Sequence, residues 1–249
     1  MRIKSLGLAV TLLACGIAYA SAATPGGRLT RESLLTSKTL SRFSVGADVS
    51  FMERGFDLAG RPGGTNAQAR TTGAYVGYDI LPWLTVFGTL GASQAKGGED
   101  GGGYWSSDLK YSLGVAPNIW EAELRRPTFL TGKVSIDAAA EVGMFKSSSD
   151  NASAEWTDLS AAVLLRYEVP EDAPWSAESA TSLRLSAGPL FSLLDGRWRD
   201  SVARSSISAR NLVGWTAGAE WFIAPTFSVG ANVEVFDTTS VSAAVRLHF

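Results

Sequence analysis

The chain has 249 residues, of which 45% are hydrophobic and 18% charged, with a net charge of −2. Its one histidine and one cysteine cannot supply the ligands of an ordinary zinc site, and it lacks the basic excess typical of nucleic-acid binding. The hydrophobic content also argues against intrinsic disorder.

The first residues have the features of an export signal. Arg2 and Lys4 precede an uncharged apolar stretch, which ends in the small residues Ala20-Ser21-Ala22. This pattern predicts a signal peptide over residues 1–22, cleaved after Ala22. The sequence around Cys15 also loosely resembles a lipoprotein signal, in which the cysteine is acylated, and this alternative stays open. Cleavage at Ala22 leaves a mature chain without disulfides, beginning with a polar lead over residues 23–41.

Beyond the lead, apolar and polar residues alternate. In the last segment Val241, Val245 and Phe249 share one face, and Ser242 and Arg246 lie on the other. Successive side chains of a strand point to opposite faces, so a period of two predicts strands with one apolar face. The predicted strands span residues 42–53, 71–81, 84–95, 104–116, 130–146, 154–168, 181–194, 210–223, 226–237 and 239–249.

The connectors between these strands are of two kinds. Leu81-Pro82-Trp83 and Ala224-Pro225-Thr226 are short turns, and their prolines remove a ladder donor where strands stop. The polar and mostly glycine-rich connectors Gly60–Ala69, Lys96–Gly103, Ser147–Ser153 and Gly196–Ser208 are predicted to be loops at the opposite end. Residues 117–129 and 170–180 are long for turns, which leaves the strand count uncertain by one hairpin.

These patterns together predict an all-β fold. Ten segments of about ten residues, each with one apolar face and one polar face, are typical of a transmembrane barrel. We therefore expect residues 42–249 to form a closed, antiparallel, up-and-down transmembrane β-barrel of about ten strands. Eight and twelve strands remain alternatives.

The C-terminal residues Val245-Arg246-Leu247-His248-Phe249 resemble the signature of bacterial outer-membrane barrels. That signature is an alternating apolar strand that ends in phenylalanine, although Leu247 stands where the family often has an aromatic residue. The segment from Gly73 to Gly91 also looks like the small OmpA-like barrels. The resemblance implies a location in the bacterial outer membrane, contact with its lipid, and an assembly signal at Val245, Leu247 and Phe249 that the barrel-assembly machinery reads.

The polar faces of the predicted strands carry charges of both signs. Inside a narrow barrel such charges must be paired or hydrated, because a lone buried charge costs several kcal/mol. We expect a structural salt-bridge network that fills the lumen, while a narrow polar pore and a binding or catalytic role remain alternatives. The residues predicted for this network are Asp48, Glu141, Arg166, Arg184, Glu220, Glu234 and Arg246.

The tryptophans and the histidine allow further hypotheses. Several of the eight tryptophans lie near predicted strand ends, which is typical of an aromatic belt at the lipid headgroups; sugar stacking is the alternative. Trp198, in the predicted loop Gly196–Ser208, is the best candidate for a surface contact. His248 lies at the predicted periplasmic end and has no oriented nucleophile or acid nearby in the sequence. No enzyme activity, cofactor or metal is therefore expected.

The sequence thus predicts an outer-membrane barrel with a structural or surface-interaction role, such as envelope stability or adhesion through its outer loops. A narrow porin-like channel for small solutes is the alternative. A barrel enzyme of unknown chemistry is the weaker one.

Overall fold

The structure is a computed structural model, and it describes residues 42–59, 61–97, 106–125, 131–149, 152–169, 182–199, 204–224 and 226–249. The predicted signal peptide, the acylation site at Cys15 and the polar lead lie outside these residues. The described residues contain no helix that is long and apolar enough to cross a membrane.

Strands account for nearly all of the described residues. In chain order they are β1 (Phe43–Leu58), β2 (Arg61–Leu81), β3 (Leu84–Gly97), β4 (Asp108–Arg125), β5 (Thr131–Ser148), β6 (Ser153–Val169), β7 (Ser182–Arg199), β8 (Arg204–Ala209), β9 (Val213–Ala224), β10 (Phe227–Val235) and β11 (Thr239–His248).

Ten of these strands form a closed antiparallel barrel. Each of β1 to β7 pairs with the next along the chain, β7 pairs with β9, and β9, β10 and β11 continue the sheet. The barrel closes where β11 pairs with β1, from Ser44 opposite His248 to Phe51 opposite Val241. The predicted closed, all-β, ten-stranded barrel is confirmed. We call the end that carries Phe43, the turn at Pro82 and Trp83, and His248 the terminal end, and the opposite end the distal end.

β8 is an additional short strand at the distal end. β11 pairs with β1 only as far as Phe51, because β10 and β11 turn back through Phe236 to Thr238. Beyond that level β8 fills the space between β7 and β1, with Arg204 opposite Arg199 and Ala209 opposite Phe56. At the distal end the single strand β8 thus takes the place of the three short strands β9 to β11. Fewer strands surround the lumen there, so the barrel is narrower at that end.

Several predicted loops are wrong, because the strands continue through them. Arg61 to Ala69 form the first part of β2 and pair with β1. Gly196–Arg199 and Arg204–Ser208 belong to β7 and β8, and β4 continues to Arg125. Glycine and small polar residues have low strand propensity, but the ladders to neighbouring strands satisfy their backbone groups. At the predicted connectors Ser147–Ser153 and Lys96–Gly103, β3, β5 and β6 also extend further than predicted, for the same reason. Residues 98–103 and 150–151 of these connectors lie outside the described residues.

Candidate functional site: the interior of the barrel

The wall of the terminal two-thirds of the barrel is apolar on its outer surface. Large aliphatic and aromatic side chains point outward along nine of the ten barrel strands, where they are 37% to 65% exposed, and the large outward apolar residues of β1 are half-buried. One such residue on each of nine strands is Val76, Leu90, Leu113, Val142, Val163, Leu185, Trp215, Val233 or Leu247. An apolar surface that continues around the whole wall far exceeds the patches that soluble monomers expose. We call it the apolar band.

The outer surface becomes polar towards the distal end. On β6 the outward residues change from Val163 and Leu159 to Thr157 and Glu155, and on β7 Leu193 is followed by Asp195. Beyond Phe51 of β1 and Leu193 of β7, the outward positions of β1, β6, β7 and β8 are mainly charged, hydroxyl-bearing or glycine. We call this part of the barrel the distal cap.

The inside of the distal cap is mostly apolar, with the buried Arg54 as an exception. Met52, Phe56, Trp156, Leu194 and Ile207 are each at most 7% exposed and belong to one cluster. The ring of Trp156 stacks on Phe145 with centroids 3.8 Å apart and lies 5.6 Å from that of Phe56. The cluster also contains Ala67, Ala69, Ala95, Phe145, Ala154, Trp198 and Ala209. The distal cap therefore has the opposite arrangement to the part of the barrel with the apolar band, since its core is apolar and its outer surface is polar.

Below the cap, Glu220 is the centre of an ionic network. Its two carboxylate oxygens accept hydrogen bonds from Arg246 at 2.8 Å and from Arg184 at 3.2 Å. Ser228 also donates to Glu220 at 2.8 Å, and Arg184 reaches Glu168 on β6 at 3.1 Å. Arg184, Glu220 and Arg246 are each at most 7% exposed. The network ties together β6, β7, β9, β10 and β11, which are consecutive neighbours in the sheet, along the inner face of the wall.

The structure brings together only part of the predicted charge network. Arg184, Glu220 and Arg246 are joined, whereas Arg166 pairs with Asp137 at 3.3 Å. The other predicted members lie elsewhere. Asp48 is buried, and its Oδ1 has no hydrogen-bond partner among the described residues.

Glu141 and Glu234 line a separate small cavity nearer the cap. Its volume is about 60 Å³, which holds a few waters. Arg54, Lys110 and Asp158 share this lining. Sequence reasoning missed Arg54 because it lies beyond the predicted end of the first strand. The signal for Asp158 was present, since it is in phase with Arg166 on the polar face of β6.

A larger cavity of about 590 Å³ lies at the terminal end. Trp83 and Lys133 are among its lining residues, and so are Arg166 and two members of the ionic network, Glu168 and Arg184. Its size is that of a small-molecule site. The apolar cluster lies between this cavity and the distal end.

Two tryptophans lie where the sequence did not predict them. Trp198 is 7% exposed and Trp156 3%, and both point into the apolar cluster. Trp198, the best candidate for a surface contact and otherwise expected in a solvated loop, is neither, because Gly196–Arg199 is part of β7 and Trp198 points inward. Trp83, Trp120, Trp215 and Trp221 are about half exposed or more on the outer wall. Trp105 and Trp175 lie outside the described residues.

His248 contacts a serine, but the arrangement differs from a catalytic one. Its Nε2 lies 2.9 Å from Ser228 Oγ, which donates to Glu220. Ser228 is fully buried, and its proton is engaged by the carboxylate rather than by the imidazole. Among the described residues no group of three or more acidic, histidine or cysteine side chains is arranged to hold a metal ion.

Comparisons with known proteins add little beyond this geometry. No protein-family model and no curated protein matches the chain. The translocator domain of the autotransporter NalP from Neisseria meningitidis aligns at 11% identity and a TM-score of 0.37, covering 99% of this chain and 95% of that one. An outer-membrane channel from Pseudomonas putida F1 aligns at 9% identity and a TM-score of 0.38, covering 92% and 100%. At such values the likeness carries no argument about function, and the OmpA-like resemblance stays a prediction.

Proposed function

We propose that this chain is an integral outer-membrane β-barrel with a filled interior and a structural or surface-interaction role. The apolar band supports a membrane-embedded wall, because so large an apolar surface is stable only in contact with lipid. The export signal predicted over residues 1–22 and the C-terminal strand support the bacterial outer membrane as its location.

The observation that carries the role is the apolar core that fills the lumen of the distal cap. Below it, the ionic network around Glu220 occupies the inner face of five neighbouring strands. A packed apolar core excludes water and ions. The distal cap then presents a rigid charged surface on the outer side of the membrane, suited to contact with other envelope components.

Conductance across planar bilayers tests this proposal against the channel alternative. We expect refolded barrels to insert without producing ion-conducting steps, because the apolar core of the distal cap interrupts any water path. Folding is verified independently by the different gel mobility of boiled and unboiled samples, and insertion by co-sedimentation with lipid vesicles. Steady single-channel currents from verified barrels would overturn the filled interior and favour a narrow pore.

A narrow channel for small solutes is the second candidate, and the cavity of about 590 Å³ at the terminal end favours it. In that case the ionic network would act as the constriction. We propose no enzymatic role, since His248 is engaged with the buried Ser228, which donates its proton to Glu220.

We also propose that the terminus at Val245, Leu247 and Phe249 is read by the barrel-assembly machinery. Val245 and Leu247 point outward and are 44% and 46% exposed, and the Phe249 amide donates to the Phe43 carbonyl at 3.0 Å. Deleting Phe249 removes one apolar side chain, worth about 1.5–3 kcal/mol of burial. We expect normal refolding in detergent but strongly reduced membrane levels in cells.

The matched control for this deletion is Val233→Ala, which also removes outward apolar surface but leaves the terminus intact. Its membrane level should follow its refolding yield. Normal membrane levels for the Phe249 deletion would show that this terminus is not an assembly signal.

A further inference from the structure

Three arginines and a serine share the outward face of β7 and β8 in the distal cap. Arg197, Arg199, Arg204 and Ser206 are all exposed, and they form two adjacent cross-strand pairs, Arg199 with Arg204 and Arg197 with Ser206. We call these four residues the arginine patch. The side chains of a directly opposed antiparallel pair start about 5 Å apart, so Ser206 starts on the same face next to all three arginines.

The like-charged pair is unfavourable by itself. Two cations directly opposite each other on neighbouring strands destabilise a sheet. None of the ion pairs found among the described residues involves Arg197, Arg199 or Arg204. Glu155 lies opposite Arg197 on β6 and borders the patch on one side. An external anion bound between Arg199 and Arg204 would relieve their repulsion.

The height of the patch above the apolar band indicates which anion is nearest. Leu193 is the last outward apolar residue of β7, and Arg197 and Arg199 follow it by four and six residues. At a strand rise of about 3.3 Å and a tilt of about 45°, they stand roughly 9 and 14 Å above the band. The patch faces sideways and stands above the roughly 5–7 Å that phospholipid headgroups add to the hydrocarbon core on each side, so at this height it faces the larger sugar headgroups of neighbouring glycolipids.

We propose that the arginine patch binds the phosphorylated sugar headgroup of an outer-leaflet glycolipid. This inference rests on the proposed function, because it places the bilayer surface at the upper edge of the apolar band. Guanidinium groups bind phosphate oxygens bidentately, with charge-assisted hydrogen bonds. The Ser206 hydroxyl supplies a further donor between them. Bound glycolipids would hold the distal cap upright on the membrane surface.

The test measures retention of purified lipopolysaccharide by the refolded full chain in detergent, with the intact glycolipid and with a chemically dephosphorylated preparation. We expect the unmodified protein to prefer the phosphorylated form by about tenfold. The triple substitution Arg197→Gln, Arg199→Gln and Arg204→Gln should abolish this preference. Changing the same three residues to lysine should retain part of it, because the charges remain while the bidentate geometry is lost.

The matched control removes three positive charges from other outward positions of the wall, through Arg70→Gln, Lys96→Gln and Lys146→Gln. It should keep the preference. The inference is overturned if the unmodified protein retains both preparations equally, if the arginine-patch triple variant keeps its preference, or if the control loses it. Boiled and unboiled gel mobility and insertion into phosphatidylcholine vesicles are recorded for each sample. A barrel that does not insert contradicts the proposed function, whereas a barrel that inserts but shows no phosphate preference contradicts only this inference.

Discussion

At the scale of single residues, the ionic network inside the barrel is centred on one carboxylate, that of Glu220. Glu220 is contacted by Arg184, Arg246 and Ser228, which come from three different strands. A buried ion pair is itself weak evidence for stability, but removing one partner leaves uncompensated buried charge. Losing the Glu220 carboxylate is therefore costly because two buried arginine charges would lose their shared partner.

We predict that Glu220→Gln lowers the free energy of unfolding by about 3–5 kcal/mol. The amide keeps the shape of the carboxyl group but leaves the charges of two buried arginines without their shared partner. The comparison is Glu121→Gln, which removes a partner of Lys133 at 2.6 Å in a pair whose carboxylate side chain is 46% exposed. Exposed pairs contribute up to about 1 kcal/mol. Urea unfolding from lipid vesicles measures both variants, and equal losses would contradict a structural role for the network.

At the scale of elements, a long strand such as β6 has one series of outward residues and one series of inward residues. Both series change in polarity partway along the strand. On β6 the outward residues are Glu155 and Thr157 near the distal end and Val163 and Leu165 lower down, while the inward residues change from Trp156 to Arg166. The hydrogen bonding does not change at that point. The outward residues therefore change from polar to apolar, and the inward residues from aromatic to charged, along a single continuous strand. Under the proposed function this change marks the edge of the membrane.

We predict that arginine substitutions on the outward face of β6 have position-dependent effects. Val163→Arg places a charge within the apolar band and should cost about 2–4 kcal/mol in a bilayer. Glu155→Arg, on the same face of the same strand, should cost less than about 1 kcal/mol because this position is in the polar distal cap. Stabilities in phospholipid vesicles measure the contrast. A similar cost at both positions would place the membrane edge elsewhere.

At the scale of the whole molecule, stability requires that the first and last strands meet. Gly46 pairs with Arg246 across this seam, and a Cβ added to Gly46 would lie 2.3 Å from the Val245 carbonyl oxygen. The backbones of β1 and β11 approach too closely here for any other residue. The pairing of β1 with β11 leaves no free sheet edge among the barrel strands. The barrel as a whole therefore resists unfolding.

We predict that Gly46→Val weakens the seam, because the new side chain forces the two backbones apart at a cost of about 1–3 kcal/mol. The temperature at which the folded gel band converts to the unfolded one should fall by about 4 °C or more. Ala47→Val adds the same kind of bulk on the exposed outer side of the neighbouring position and should leave that temperature nearly unchanged. If the two variants behave alike, crowding at the seam does not limit stability.

Much of the fold was predictable from the period of two alone. The alternation from Val241 to Phe249 and from Val134 to Met144 identified strands and faces, because a side chain's face depends only on its position in the strand. The same rule placed Arg184, Glu220 and Arg246 inside the barrel. The local pattern was sufficient to predict strands and faces wherever the outward residues belong to the apolar band and the inward residues face the lumen.

The distal cap could not be predicted in the same way. The sequence from Gly60 to Ala69 and from Gly196 to Ser208 has the composition of loops, and only pairing with neighbouring strands makes β2, β7 and β8 continue there. The burial of Trp198 and Ile207 depends on that pairing, as does the meeting of Arg199 and Arg204. By itself, the sequence determined which face each side chain takes in the strands of the apolar band. Only the tertiary structure decided where those strands end and which side chains meet inside the barrel, because both depend on contacts between residues far apart in the chain.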